Sequence, residues 1–418
     1  MQHELNWIEL AECLGPASMH FRALIDAFGS PEEILAATKE EIQDAAPYIS
    51  VGALSSITSH RFAARAKEIY RYCHGSAGIR VYPYDHEAYP VALRDIPNPP
   101  ILLYCEGVLP DFSSKAAIGV VGPRHPDAYG EQVTYKLSFE MAASGAMIVS
   151  GLAQGIDGIA TAAAIAAGGV TVSVLGCGID LTYPSHHKRL RAECVESGAV
   201  ITEFAPGTRP NGYNFPMRNR IIAALSSVLF VPEAPENSGS LITARYAILY
   251  GRRVFVVPGD ITAMASLGSN LLLQAGAHPV LCALDVLQPL LPRYHATLDP
   301  SVIPEAGQYA ALTSDVQRRF GLRAGDAPKE KRKSEEKTAQ VQVVAEKETK
   351  ARACVQEQDL SMLDPRAKEL YHLLPDEAFT IDVLVSKGVS SAEAISALTV
   401  FEVCGLVHPV PGGLYEKK

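Results

Sequence analysis

The sequence predicts an α/β protein built around a doubly wound parallel sheet. Six short runs are apolar almost throughout, as expected of strands that are covered on both faces. They lie at 116–121, 146–149, 170–175, 199–201, 228–231 and 254–257. Helical stretches such as 130–144 and 156–167 alternate with them. This alternation is typical of a Rossmann-like core, which we place at residues 79–290.

Length and composition set the first limits on function. A chain of 418 residues that is 48% hydrophobic supports one large core within two or three domains. The formal net charge of −9 argues against a generally basic surface. Any nucleic-acid site is therefore expected to be a local focus of arginines and backbone amides.

Cysteine spacing and hydropathy indicate a cytoplasmic protein. The eight cysteines form no C-x-x-C pair and no metal-ligand spacing, which favours reduced thiols. The N-terminus shows no secretory signal, and no apolar run is long enough to span a bilayer. We therefore expect no membrane association.

The segment before the core, residues 1–78, predicts a small helical domain. Gly15-Pro16 is expected to open one helix, and Gly29 to close it. The runs 30–33 and 38–41 read as capping boxes, the first with proline at the first helical position. Helices this short persist only when they pack against one another, which predicts a compact bundle.

Two segments follow the core. Residues 291–360 contain mixed-charge runs at 329–333 and 346–348 with few aromatic residues, which predicts a flexible linker. Residues 361–418 predict three helices and a hairpin, the arrangement of a winged helix. The third of these helices carries Ser391, Glu393, Ser396 and Thr399 without a basic residue, so we expect a protein contact or self-association in preference to duplex DNA.

The loops after the predicted strands point to a phosphate-bearing ligand. Parallel strands bring their carboxyl ends to one edge of the sheet, where ligands bind. Nearly every loop at this edge combines glycine with a polar residue, and such loops offer backbone N–H groups to anions. The loops are 122–124, 150–157, 176–178, 203–207, 233–240 and 258–260.

Common nucleotide motifs do not account for this edge. The chain has no G-x-x-x-x-G-K-[ST] motif, which argues against a P-loop enzyme. Gly176-Cys177-Gly178 begins a dinucleotide motif, but Leu181 occupies its third glycine position. The run 185–188 matches S-x-x-K without the companion motifs of the corresponding acyl enzymes.

Two arginine-bearing segments supply the charge. Arg124 follows the first core strand directly, and Arg218 and Arg220 lie two residues apart in a predicted helix. Two helical residues differ by about 200° in direction, so both arginines cannot face one ligand. One is expected to bind phosphate while the other pairs with Glu203 or Glu233; a purely structural role for both is the alternative.

Taken together, the motifs of residues 80–285 resemble those of the DprA (Smf) family. Val121-Gly122-Pro123-Arg124 is similar to its G-[ST]-R loop, and residues 150–157 are similar to its S-G-x-A-x-G-x-D loop. Residues 215–221 reproduce F-P-x-R-N-R-x-I, and residues 238–244 reproduce S-G-S-L-I-T-A. The helical N-terminal segment, expected to be SAM-like, and the winged-helix tail agree with one architecture of the family.

The resemblance implies a homodimer, without catalytic activity or cofactor, that binds single-stranded DNA and loads RecA during natural transformation. Carried over to this chain, the DNA contacts are expected from three glycines, two serines, one asparagine and a few basic or aromatic side chains. They are Gly122, Arg124, Ser150, Gly151, Lys188, Phe215, Arg218, Asn219, Arg220, Gly239 and Ser240.

Three departures from the family pattern affect this expectation. Pro123 replaces a hydroxyl residue of the phosphate loop, Thr161 stands where histidine is frequent, and Pro232 stands where an apolar strand residue is usual. One alternative is a nucleotide-cleaving phosphoribohydrolase-like enzyme that uses Glu233 and Gly239, although its P-G-G-x-G-T loop is missing from the sequence. Another is a nucleotide-sensing module.

Overall fold

The computed structural model describes residues 1–75, 78–303 and most of 365–417. Gaps in the last range fall at 376–378, 381, 388, 390–393, 395–396, 399–400, 402–405 and 411–413. Three sets of residues lie outside the described ranges: the predicted linker beyond residue 303, the four residues named on the third helix of the tail, and residues 411–413 within the predicted hairpin.

Six helices form the N-terminal segment. They are α1 (Gln2–Leu14), α2 (Phe21–Phe28), α3 (Pro31–Ala36), α4 (Lys39–Ala45), α5 (Val51–Thr58) and α6 (Ala63–His74). The Ser30 side chain accepts from the Glu33 amide, and Thr38 and Glu41 make a reciprocal capping box. Gly29 closes α2 in a left-handed conformation, as predicted. Gly15 ends α1, so its predicted role in opening a helix is wrong.

The core is a nine-stranded, mostly parallel sheet. Its strands are β1 (Arg80–Pro83), β2 (Leu102–Gly107), β3 (Ala117–Val120), β4 (Met147–Ser150), β5 (Thr171–Val174), β6 (Gly198–Thr202), β7 (Val228–Val231), β8 (Arg253–Val256) and β9 (His278–Pro279). Their order is β1-β2-β6-β5-β4-β3-β7-β8-β9. All pairs from β6 to β9 are parallel, which confirms the predicted α/β class with a Rossmann-like sheet.

Helices cover both faces of the sheet. They are α7 (Val91–Arg94), α8 (Ala128–Ala143), α9 (Ile156–Ala166), α10 (Lys188–Ser197), α11 (Asn214–Leu225), α12 (Gly239–Leu249), α13 (Leu267–Gln274), α14 (Ala283–Leu287) and α15 (Leu291–Tyr294). On one face, Ile221 and Ile222 of α11 join an apolar cluster with Val149 and Leu229. On the other face, Trp7 of α1 shares a cluster with Leu175 and Val200, so the N-terminal helices pack directly on the core.

Packed structure continues past residue 290, where the linker is predicted to start. Tyr294 is buried, and its hydroxyl lies 3.1 Å from Ser227 Oγ. The Asp299 amide donates to the Ser144 carbonyl at 2.8 Å. Residues 291–303 are therefore held against the α/β core.

The described part of the C-terminal segment contains helices and a hairpin. It has α16 (Pro365–His372), α17 (Asp382–Ser386) and the antiparallel pair β10 (Val407–Val410) and β11 (Leu414–Lys417). The rings of Tyr371 and Phe401 meet edge to face at 5.3 Å. The winged-helix and SAM-like assignments and the domain boundaries stay predictions.

Within the described ranges, no helix has the length and apolar character needed to cross a bilayer. The same ranges contain no group of three or more histidine, cysteine or acidic side chains arranged to hold a metal ion.

Candidate nucleic-acid interface

The strand order reverses beside β3, and this point organises the candidate site. β3 pairs with β4 on one side and with β7 on the other. The connections that leave β3 and β7 therefore diverge and open a crevice, the usual ligand position in such sheets.

A cavity of about 430 Å³ lies at this crevice, and we call it the switch-point cavity. Most of the residues that the sequence predicts as contacts line it: Gly122, Arg124, Phe215, Arg218, Asn219, Gly239 and Ser240. Folding thus brings together loops that are more than a hundred residues apart in sequence. Asn237, Ser238 and Thr243 also line the cavity and were not predicted as contacts.

Arg124 and Phe215 form the mouth of the switch-point cavity. Arg124 is exposed, and its guanidinium carbon lies 4.9 Å from the centroid of the Phe215 ring. A guanidinium that is exposed beside an aromatic ring keeps N–H donors available for an anion.

A second aromatic ring extends this mouth. The Tyr183 ring lies 5.4 Å from the Phe215 ring and is 37% exposed. The sequence prediction did not include Tyr183; its only signal was an aromatic residue beside proline in a loop at the sheet edge. Together the two rings form a surface on which unpaired bases can stack.

The opposite wall is the N-terminus of α12. Ser238 caps this helix by accepting from the Ser240 amide at 3.3 Å, and the two hydroxyls lie 2.7 Å apart. Gly239 is exposed, and a Cβ built on it would meet no atom of the described residues within 4 Å. The first amides of an 11-residue helix therefore face the cavity, which favours an anionic ligand there.

A backbone hydrogen bond and a close glycine contact hold the loop after β3 against α9. The Ile156 amide donates to the Pro123 carbonyl at 3.2 Å, which ties the loop to the start of α9. A Cβ on Gly122 would come within 2.4 Å of the Ile156 side chain, so glycine is required for this close approach. The loop retains its place against α9 with proline at position 123.

The loop after β4 directs its polar groups inward. Ser150 is buried, and its hydroxyl donates to the Val120 carbonyl at 2.7 Å. The Asp157 carboxylate makes backbone hydrogen bonds with Gly151 and Ala153. Ser150 and Gly151 therefore do not line the switch-point cavity; they fix the loop beside it.

Arg218 lies at the base of the switch-point cavity. It is 3% exposed, donates to the Val174 carbonyl at 2.7 Å and places Nη2 4.0 Å from the Asp157 carboxylate. Burial raises the pKa of Asp157, and the Arg218 charge opposes this shift. Arg218 thus carries positive charge to the cavity floor while it is anchored within the protein.

Arg220 does not line the switch-point cavity, so its predicted contact with DNA stays a prediction. It is fully buried, and its Nη2 lies 2.5 Å from Glu203 Oε2. The 200° offset from Arg218 on α11 explains the difference, and Glu203 is one of the two partners that the sequence suggested.

Lys188 and Glu233 also lie away from the cavity walls. Lys188 is exposed as the first residue of α10, just after His187, whose ring contacts the Leu152 carbonyl at 3.0 Å. Glu233 is buried and accepts from the Asp127 amide at 3.2 Å. Burial, with Asp127 nearby, raises the pKa of Glu233 to about 7. The carboxylate that the nucleotide-cleaving alternative needs is therefore turned away from the ligand crevice.

The fold and the crevice define a Rossmann-like α/β protein with an anion-directed site at its switch point. The family model of the DNA recombination-mediator protein A matches residues 80–291. The chain belongs to this family, known as DprA or Smf.

Relatives and solved structures agree with this assignment. The chain is 40% identical over 213 residues to the DNA processing protein DprA of Bacillus subtilis, covering 51% of this chain and 72% of that protein. It is 33% identical to protein Smf of Synechocystis, covering 80% of this chain and 79% of that protein. The X-ray structure of DprA from Streptococcus pneumoniae matches with a TM-score of 0.60 and 30% identity, over 68% of this chain and 97% of that one.

Proposed function

We propose that this protein binds single-stranded DNA at the switch-point cavity and serves as a recombination mediator without cleaving its ligand. The observation that carries the proposal is the pairing of the Arg124–Phe215 mouth with the α12 N-terminus. Arginine and backbone amides suit phosphate oxygens, and neither distinguishes one base from another.

The ring surface beside Arg124 favours a single strand over a duplex. Tyr183 and Phe215 offer stacking faces, and only unpaired bases present their own faces to them. The overall net charge of −9 also disfavours a long duplex, which needs an extended basic surface. The names of the family and of the relatives described above support a role in DNA recombination.

Fluorescence anisotropy with labelled oligo-dT and a matched duplex, at two salt concentrations, tests this proposal. We expect tighter binding of the single strand and a loss of affinity on raising the salt. Arg124→Ala should weaken oligo-dT binding about tenfold or more, since one charge-assisted contact is worth about 1.5–3 kcal/mol.

Arg293 provides a matched control for Arg124. It is also exposed and also stacks on an aromatic ring, 5.2 Å from the centroid of Tyr294, but it does not line the switch-point cavity. Arg293→Ala should leave the affinity unchanged. Well-folded wild-type protein that binds no single strand would overturn the proposal, and release of free base from a nucleoside monophosphate would favour the nucleotide-cleaving alternative.

We further propose that the protein acts as a homodimer and loads RecA onto the bound strand, as the family resemblance implies. Exposed apolar side chains at the end of α12 and around α13 support self-association: Ile248, Leu249, Ile261, Met264 and Leu271. Sedimentation equilibrium should give twice the monomer mass. A monomer at micromolar concentration contradicts the dimer.

A further inference from the structure

A second cavity, of about 480 Å³, lies between α1, β2 and the loop after β6. We call it the α1–β2 cavity. It is separated from the switch-point cavity by one short segment of chain, residues 211–217. Gly212, Phe215 and Pro216 face the first cavity, whereas Asn211, Asn214 and Met217 face the second.

Two buried polar atoms in the walls of the α1–β2 cavity have no hydrogen-bond partner among the described residues. Tyr104 is 1% exposed, and its hydroxyl makes no hydrogen bond to any described residue. Glu203 Oε2 binds Arg220 and the Ala17 amide, but Oε1 of the same carboxylate has no partner in the described part of the chain. Buried polar groups are nearly always satisfied, so a ligand with complementary hydrogen-bonding groups is expected here.

A further carboxylate, from Glu12, completes the polar side of the α1–β2 cavity. Burial raises the pKa of Glu12, and the Arg65 charge opposes this shift. Burial, followed by the nearby Glu12 charge, raises the pKa of Tyr104 well above its usual value. The Tyr104 hydroxyl therefore stays protonated and can donate, while the carboxylates supply acceptors.

Both polar and apolar residues form the remaining walls, the polar ones being Thr208, Asn211, Tyr213 and Asn214. The apolar side chains that line the cavity are Ile101, Leu102, Phe204 and Met217. A suitable ligand has a flat apolar body, adjacent N–H donors and one acceptor. A phosphate is disfavoured, because the Glu12 carboxylate lines the cavity and the Arg220 charge is already paired with Glu203.

We propose that the α1–β2 cavity binds a nucleobase of the single strand and prefers guanine. Guanine presents two adjacent N–H donors for a carboxylate and a carbonyl oxygen for the Tyr104 hydroxyl; no other DNA base combines these groups on one edge. This inference rests on the proposed function, since a strand held by its phosphates at the switch-point cavity can place a base across the segment 211–217.

The test uses labelled 12-mers of dT in which one dG is moved through every position. Wild-type protein should bind at least one of these oligomers about fivefold or more tightly than the all-dT strand. Replacing that dG by deoxyinosine, which lacks the exocyclic amine, should reduce the gain.

Two conservative variants assign the gain to the α1–β2 cavity. Tyr104→Phe removes only the unpartnered hydroxyl and should fold normally, and Glu12→Gln removes an acceptor; each should abolish the gain from dG. Tyr82→Phe is the matched control, because Tyr82 is a buried tyrosine of the neighbouring strand and does not line this cavity. It should retain the gain.

The outcomes separate this inference from the proposed function. Equal affinity for every dG position and for all-dT, in protein that binds all-dT normally, overturns guanine binding alone. If all-dT does not bind, the proposed function fails. Saturation-transfer NMR with free guanosine then tests guanine binding to the α1–β2 cavity independently of DNA binding. Binding of arginine amide without guanosine also overturns the proposal, because the cavity then accepts a cationic side chain.

Discussion

Two loops at the same edge of the sheet use similar residues in opposite ways. After β4, Ser150 and Gly151 are buried, and their polar groups bind Val120 and Asp157. After β7, the chain leads to Gly239 and Ser240, which line the switch-point cavity. A glycine–serine pair at the ligand-binding edge of the sheet can therefore either stabilise the loop or line the ligand cavity. The packing around it decides which, and that packing comes from distant parts of the chain.

The largest expected effect is on the free energy of unfolding, and it separates a buried arginine, Arg220, from an exposed one, Arg124. Arg220→Ala leaves the buried Glu203 carboxylate without its cation and should lower the free energy of unfolding by about 3–5 kcal/mol. Arg124→Ala removes an exposed side chain and should change it by no more than about 0.5 kcal/mol. Urea unfolding of both variants measures the two changes in the free energy of unfolding. Similar changes would contradict the assignment of Arg220 to the protein interior and Arg124 to ligand binding.

A pH dependence of stability is expected from Glu233. Because its pKa is raised from 4.5 to about 7 in the folded protein, the folded state binds more protons than the unfolded state between these values. This carboxylate should therefore reduce stability as the pH rises through that range.

Glu233→Gln removes this cost and keeps an acceptor for the Asp127 amide. The variant should be more stable than wild type at pH 8, by up to about 3 kcal/mol, with a smaller gain at pH 5. Thermal unfolding at both pH values measures the difference. An equal gain at both would show that Glu233 titrates normally.

A smaller effect on stability is expected from alanine substitutions in the loop after β4 and the loop after β7. A Cβ on Gly151 would lie 1.6 Å from Arg218 Nη1 and 2.4 Å from Asp157 Oδ2, whereas a Cβ on Gly239 meets none of the described atoms within 4 Å. Gly151→Ala should cost about 1–3 kcal/mol of stability, as overpacking does. Gly239→Ala should cost about 0.5 kcal/mol or less while weakening oligo-dT binding, because backbone approach to the helix N-terminus is lost.

Calorimetry and binding measurements on both glycine variants serve as the check. A stable Gly151→Ala protein with weakened DNA binding would reassign the β4 loop to the ligand.

Much of the core could be predicted from the sequence. All six apolar runs are strands, because residues buried on both faces of a parallel sheet must be apolar along their whole length. The antiparallel strands β1 and β2 were not predicted. The other strands were recognised because apolar runs alternate with helical stretches, and residues 80–83 and 102–107 are not part of that alternation.

The candidate site was predictable in its location and only partly in its residues. Apolar runs and the glycine-rich loops after them are local signals, and they placed Gly122, Arg124 and Gly239 at one edge of the sheet, where these residues line one cavity. The burial of Arg220 depends on Glu203, a contact across 17 residues that only the folded core defines. The stacking of Tyr183 on Phe215 depends likewise on long-range packing.

Both outer strands of the large sheet end in proline. β1 ends at Pro83, and β9 consists of His278 and Pro279 only. Proline cannot donate to a further strand, so neither border readily accepts an additional chain by backbone pairing. Joining copies of the chain border to border into one continuous sheet is therefore disfavoured.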